Sequence, residues 1–198
     1  MEPMQTEERR LTVERNVPVD ALYMAFHMCS RNHPDYYAFD MLSDLLSSGR
    51  SSRFVQHLVQ DKQIFNSIDA YISGSIDNGL FHIVGKPAPE KTLEEAEKAI
   101  WEELALLTEG SIDENELEKV KNRYESEQIF NNLNYLNVAT NLAYFELIGK
   151  AEDINTEVEK YRSVTQEQIK RAAKQTFLPE NCSVLYYKAA AKDASHTP

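Results

Sequence analysis

Apolar and polar residues alternate from the start of the chain. Leu11 and Val13 are separated by Thr12 and followed by Glu14. In residues 21–29, Leu22, Met24, Phe26 and Met28 share one face, the period-two pattern of a half-buried strand. The period then changes. Pro34 and Asp35 open a helix in which Ala38, Met41, Leu42 and Leu45 form one apolar stripe, and Ser47-Ser48-Gly49 stops it. Ser51 or Ser52 can cap a second helix carrying Phe54, Val55, Leu58 and Val59. A hairpin follows. Asn66, Ile68, Ala70 and Ile72 make its more apolar face and are expected to pack on the helices, with Asn66 at the margin. Asp77-Asn78-Gly79 is expected to turn the chain, because Asn and Gly tolerate positive φ, and the strand returns over residues 80–84.

The second half carries helical periods. Thr92 and Glu95 have capping-box spacing ahead of Leu93, Ala96, Ile100, Leu104 and Leu107, and Gly110 ends that helix. Asp113 or Ser111 caps the next, with Leu117, Val120 and Tyr124 inward. Asn131-Asn132 weakens the pattern, and Leu133, Leu136, Thr140, Ala143 and Leu147 resume it until Gly149. Thr165 and Gln168 make another capping box before Ile169, Ala172, Ala173 and Phe177, and Pro179 prevents continuation. Residues 182–187 read as a last strand. Strand pairs without regular βαβ alternation predict an α+β fold: a mostly antiparallel sheet of about five strands with helices packed on one face. The 198 residues divide into a polar linker (1–8), one domain (9–188) and a small, polar tail (189–198) expected to be disordered.

Charge narrows the classes of partner. Lys and Arg number 21 against 32 Asp and Glu, a net charge of −11, which argues against a sequence-independent grip on nucleic acid. No apolar run approaches the ~20 residues of a membrane span, and no basic-then-apolar leader opens the sequence. Cytoplasmic residence is favoured; a periplasmic one would require a signal upstream in a parent protein. Eleven acids against two bases lie in residues 90–118 without a calcium-loop pattern, so they read as a solvated face. Cys29 and Cys182 could pair but make no framework; buried thiols are the favoured reading.

Catalytic chemistry is sparse. Among His27, His33, His57, His82 and His196 there is no HExxH or HxxEH. His57 and Asp61 lie one helical turn apart and could ligate a metal with outside help; the favoured reading is a surface pair. His27 and His82 read as partly buried strand residues. No GxSxG and no phosphate loop occur, and Cys29 sits on a core strand. Gly49-Arg50-Ser51-Ser52-Arg53 could bring backbone N–H groups and arginines to an anion or a peptide carboxylate, or Arg53 could fix the loop through a salt bridge.

The order of these elements resembles one family. Residues 32–85 are similar to the second half-domain of the pitrilysin/insulinase zinc metallopeptidases, the inverzincins, including processing peptidases. The likeness rests on Asp35, Leu45-Leu46, Gly49, Ser51-Ser52-Arg53-Phe54 and Leu58. SIDENELEKVKNRYESE and VTQEQIKRAAKQTFLPENCSVLYY resemble the family's later helices and close, so the likeness spans roughly residues 9–188. It implies one half of a clam-shell: a non-catalytic C-terminal half that encloses the chamber and positions peptide substrate for an HxxEH-bearing half. That catalytic half would be N-terminal in the same polypeptide or a separate subunit, and would hold the zinc; this chain would hold no cofactor and be inactive alone. A homodimer of the full protein is compatible with this. The resemblance also implies an Arg and, seven residues on, a Tyr that hold substrate. Val59 and Asn66 stand at those positions; Asn66, Arg53 and Ser52 are the candidate substrate contacts. The alternatives are a catalytically inactive assembly subunit of the same fold and an unrelated hydrolase.

Overall fold

The computed structural model describes residues 5–190; residues 1–4 and 191–198, with His196 and most of the expected tail, lie outside the described residues. Five strands form one sheet in the order β1-β5-β2-β4-β3: β1 Arg9–Arg15, β2 Ala21–Ser30, β3 Phe65–Ser73, β4 Asn78–Pro87 and β5 Cys182–Ala189. β1 runs parallel to β5, and the other pairs are antiparallel. Leu22, Met24, Phe26 and Met28 of β2 point to the buried face, joined by Phe81 and Ile83 of β4 and Val184 of β5. Helices α1 (Tyr36–Ser47), α2 (Leu93–Glu109) and α6 (Gln166–Thr176) cover that face. Fully burying one such Leu or Phe typically contributes about 1.5–3 kcal/mol. The α+β architecture with a mostly antiparallel sheet is therefore as the patterns predict.

Local signals also hold at several ends. Thr92 and Glu95 exchange both capping-box hydrogen bonds at the start of α2, as do Thr165 and Gln168 at α6. Asp113 caps α3 (Glu114–Asn131) by accepting from the Asn115 N–H, and Asn132 closes it. Gly49, just past α1, has φ +89, the left-handed conformation that favours glycine.

Three local expectations change. The β3–β4 turn is residues 74–77, and β4 starts two residues earlier than expected, with Asn78 and Gly79 already in it. Gly79 is required by proximity, since a Cβ there would lie 2.4 Å from the Ser73 carbonyl oxygen. Ser52 does not cap the following helix; its hydroxyl turns back and donates to the Gly49 carbonyl at 2.7 Å. That helix, Phe54–Asp61, is a π-helix, one residue per turn wider than α, with the Lys62 N–H reaching back to His57 O. The third change is the largest. In α4 (Tyr135–Ile148) the stripe expected to face the core is exposed at Leu136, Thr140, Ala143 and Leu147, as is Leu133 before it. α4 packs on the 3-10 turn Ala151–Thr156 rather than on the sheet, and only Phe145 among its residues is buried. The period describes a helix with an apolar face; nothing among the described residues covers that face.

Candidate functional site

Of the residues singled out for substrate contact, Ser52 and Arg53 lie in the segment between α1 and β3, and Asn66 is the second residue of β3. Arg53 is engaged. Its Nε and Nη2 donate to the two oxygens of Glu116, each at 2.9 Å, and Nη2 also reaches the Ser111 carbonyl at 3.3 Å. The fork pins the π-helix to the first turn of α3. Ser52 is buried and bonded to Gly49 as described. His57 places Nδ1 2.9 Å from Glu103 Oε1, and Asp61 accepts from Gln56 Nε2 at 3.0 Å. The two do not converge on a common point, and among the described residues no three His, Cys, Asp or Glu side chains form a group able to hold a metal. The described part of this chain therefore does not fit a zinc site.

Asn66 sits elsewhere than its alternation implied. Phe65 pairs with Pro87 and Ser67 with the next residue, Lys86, so Asn66 is the extra residue of a β-bulge. The bulge lets Phe65 turn inward onto Gly85, where a Cβ would fall 2.4 Å from the ring, and it pushes Asn66 out to solvent. Ile68 and Ala70 are buried as expected; Asn66 is not on their face. Phe65 dominates because a buried phenyl ring gains far more than a buried amide lacking partners.

Exposed in this way, Asn66 lines a recess of about 490 Å³ with Val59, Lys62, Gln63, Glu90 and Lys91. Two hydrogen bonds fix its walls: Ile64 N–H to Leu58 O and Ala88 N–H to Ile64 O, both 2.8 Å. Gln63 (φ 51) and Glu90 (φ 73), the two non-glycine residues with positive φ among those described, both line it. Gln63 occupies the left-handed position just past a helix that glycine usually takes. Such residues typically cost about 1–3 kcal/mol each. The recess offers amide and amine donors and one carboxylate, chemistry suited to holding an extended chain.

The other titratable groups are poised for packing. Burial pushes the Cys29 thiol up to about 11 and the Cys182 thiol up to about 12, and both are free. The acidic run is only partly solvated, because Glu97 is buried under Arg10 and Tyr186, and Glu103 under His57. The sheet face opposite the helices carries a second recess of about 340 Å³, lined by Leu11, Tyr23, Ala25, His82, Val84 and Leu185. His82 is partly buried, stacks on Tyr71 at 4.9 Å and lies 3.1 Å from Ser73 Oγ; burial lowers its pKa. The signal for this face was the unpolar character of Tyr23 and Ala25 between the core residues of β2.

The described residues thus form a sheet with one helix-covered face, one open face and a polar recess at its margin. Residues 1–124 match the family described as the peptidase M16 inactive domain, and the chain belongs to that family. It is thus the non-catalytic half of the M16 fold, as the pitrilysin/insulinase resemblance implied. It is 25% identical over 179 residues to the uncharacterized zinc protease YmxG of Bacillus subtilis, covering 89% of this chain and 43% of that protein. Its identity to the zinc protease PqqE of Helicobacter pylori is 23% over 188 residues, covering 94% and 42%. The chain thus spans less than half the length of these relatives. In fold it is similar to a protease structure from Helicobacter pylori (TM-score 0.88, 22% identity, covering 94% of this chain and 45% of that one). An inactive peptidase domain from Bordetella parapertussis is similar over its whole length (TM-score 0.80, 17% identity, covering 94% and 98%).

Proposed function

We propose that this chain closes over peptide substrate and positions it for hydrolysis by a zinc-bearing catalytic half, on the same polypeptide or a separate subunit. The observation that carries this reading is the recess around Asn66. A β-bulge and two left-handed residues hold it open at the position where the family resemblance puts substrate contact. Asn66 is the direct contact, with its amide free to pair with a peptide backbone. Arg53 and Ser52 act behind it: Arg53 through its fork to Glu116, Ser52 through its bond to Gly49, together fixing the π-helix that carries Val59. No hydrolytic step is assigned to this chain. Zinc would supply the activated water from the catalytic half.

The test uses the complete two-half enzyme with Asn66→Ala. Because Asn66 is exposed, the melting temperature should stay within about a degree while kcat/KM falls; a lost neutral hydrogen bond of about 0.5–1.5 kcal/mol corresponds to roughly two- to tenfold. Lost stability with normal turnover per folded enzyme would make Asn66 structural, and no change in either would remove it from the site. A second reading, an assembly subunit of the same fold without proteolysis, is favoured by Val59, which cannot donate a hydrogen bond where the resemblance implies an Arg. It predicts no peptide turnover even with an HxxEH-bearing partner present.

A further inference from the structure

The α3–α4 hairpin is built unlike the rest of the molecule. Residues 128–145 contain no Asp, Glu, Lys, Arg or His, in a chain that is 27% charged. Phe130, Leu133, Tyr135 and Leu136 are exposed to 70%, 74%, 90% and 73%. Their polar neighbours are mostly amides: Asn131, Asn132, Asn134, Asn137 and Asn141. A helix that faces water normally carries charges on its outer side. Large contiguous apolar exposure marks an interaction surface, and the buried centre of an interface is where charge is depleted and aromatics are enriched.

We propose that this hairpin is the seat on which the catalytic half of the protein docks. The inference rests on membership of the inactive-domain family and goes beyond it by assigning the surface. Two observations favour that occupant. The relatives of this chain are more than twice the length it spans, so their fold includes a further body of about the same size. The second observation is charge. Two copies of a chain with net charge −11 repel each other, and a helix lying on a membrane surface carries Lys or Arg on its polar face, which this one lacks. The fitting surface is apolar and aromatic, with amides facing the asparagines and no charge at its centre.

The experiment is done on the complete two-half protein. Tyr135→Cys is labelled with a maleimide and compared with Asp77→Cys, on the exposed β3–β4 turn, after subtracting the reaction of Cys29 and Cys182. Tyr135→Cys should react at least tenfold more slowly, and adding Leu136→Glu should bring it to the Asp77→Cys rate. A benzoylphenylalanine in place of Tyr135 should crosslink to residues of the catalytic half. Equal labelling rates would overturn the proposal. So would crosslinks to a second copy of this chain, or protection that appears only with added lipid vesicles. Peptide turnover is read separately: a protein that protects the hairpin but cleaves no peptide refutes the functional reading and leaves this one standing.

Discussion

Helices α1 and α4 carry the same kind of apolar period and meet opposite fates. In α1, Ala38, Met41, Leu42 and Leu45 are all buried against β3, α6 and the sheet. In α4, Leu136 and Leu147 point to solvent, and the helix hangs from the 3-10 turn after it. The difference lies in the surroundings. α1 is flanked by charged residues that find partners: Asp35 accepts from Arg171, and Asp40 from Tyr161 at 2.5 Å. α4 offers asparagines and no charge until Glu146. An apolar stripe specifies that something will cover it. Whether the cover is in the same domain is written in the residues around the stripe.

The seam between the two regions should be the most sensitive place. Arg31 is buried, paired with the equally buried Glu157, and packed over Tyr36 at 4.4 Å with Phe145, the buried residue of α4, beyond. Glu157→Gln removes the acid and leaves the guanidinium without its charge partner. The expected loss is about 3–5 kcal/mol, with α4 released, since breaking a buried pair strands the remaining charge. Urea unfolding and hydrogen exchange over residues 135–148 read both effects. A loss under 1 kcal/mol would show that α4 is held by something else.

Paired truncations sharpen the contrast. Leu42→Ala, at a fully buried site, should cost about 2–5 kcal/mol wherever it is measured. Leu136→Ala should change the stability of this chain by less than about 0.5 kcal/mol, as surface changes do. Equal costs would mean that α4 is covered from within the chain.

Much of the fold was legible in the sequence because periods and caps are local. Alternation located β1, β2 and β3, the turn before residue 80 located β4, and the Thr92/Glu95 and Thr165/Gln168 boxes fixed the starts of α2 and α6. The misses are non-local. Asn66 left its expected face because Phe65 found Gly85 across the sheet, and a bulge is a property of the pair of strands. Gly79 reads as a turn glycine until the Ser73 carbonyl is placed beside it. Of the candidate site, the motif positions were visible, but the recess was not. Its walls come from the π-helix, β3 and the loop after β4, and meet only through Ile64 and Ala88.

A smaller contrast than the paired truncations concerns the polar side of α1 and separates it from α4 by pH. Burial, with Asp40 nearby, raises the Asp44 carboxyl to about 6 from an ordinary value near 3.8. Asp40 is raised as well, by burial first, although its bond from Tyr161 opposes the rise. A carboxyl that holds its proton more tightly folded than unfolded makes the folded state the better proton binder between those two values. Stability therefore falls as pH rises from about 4 to about 6, and the loss persists above the folded value. Residues 128–145 contain no Asp, Glu or His. Asp44→Asn should remove the Asp44 part of that slope, raising stability at pH 7 by about 1–2 kcal/mol while leaving it little changed at pH 4. Chemical denaturation of both proteins at pH 4, 5, 6 and 7 gives the comparison. An unchanged slope would mean that Asp44 keeps its ordinary acidity, and that the polar side of α1 is as well solvated as its position on the helix wheel implies.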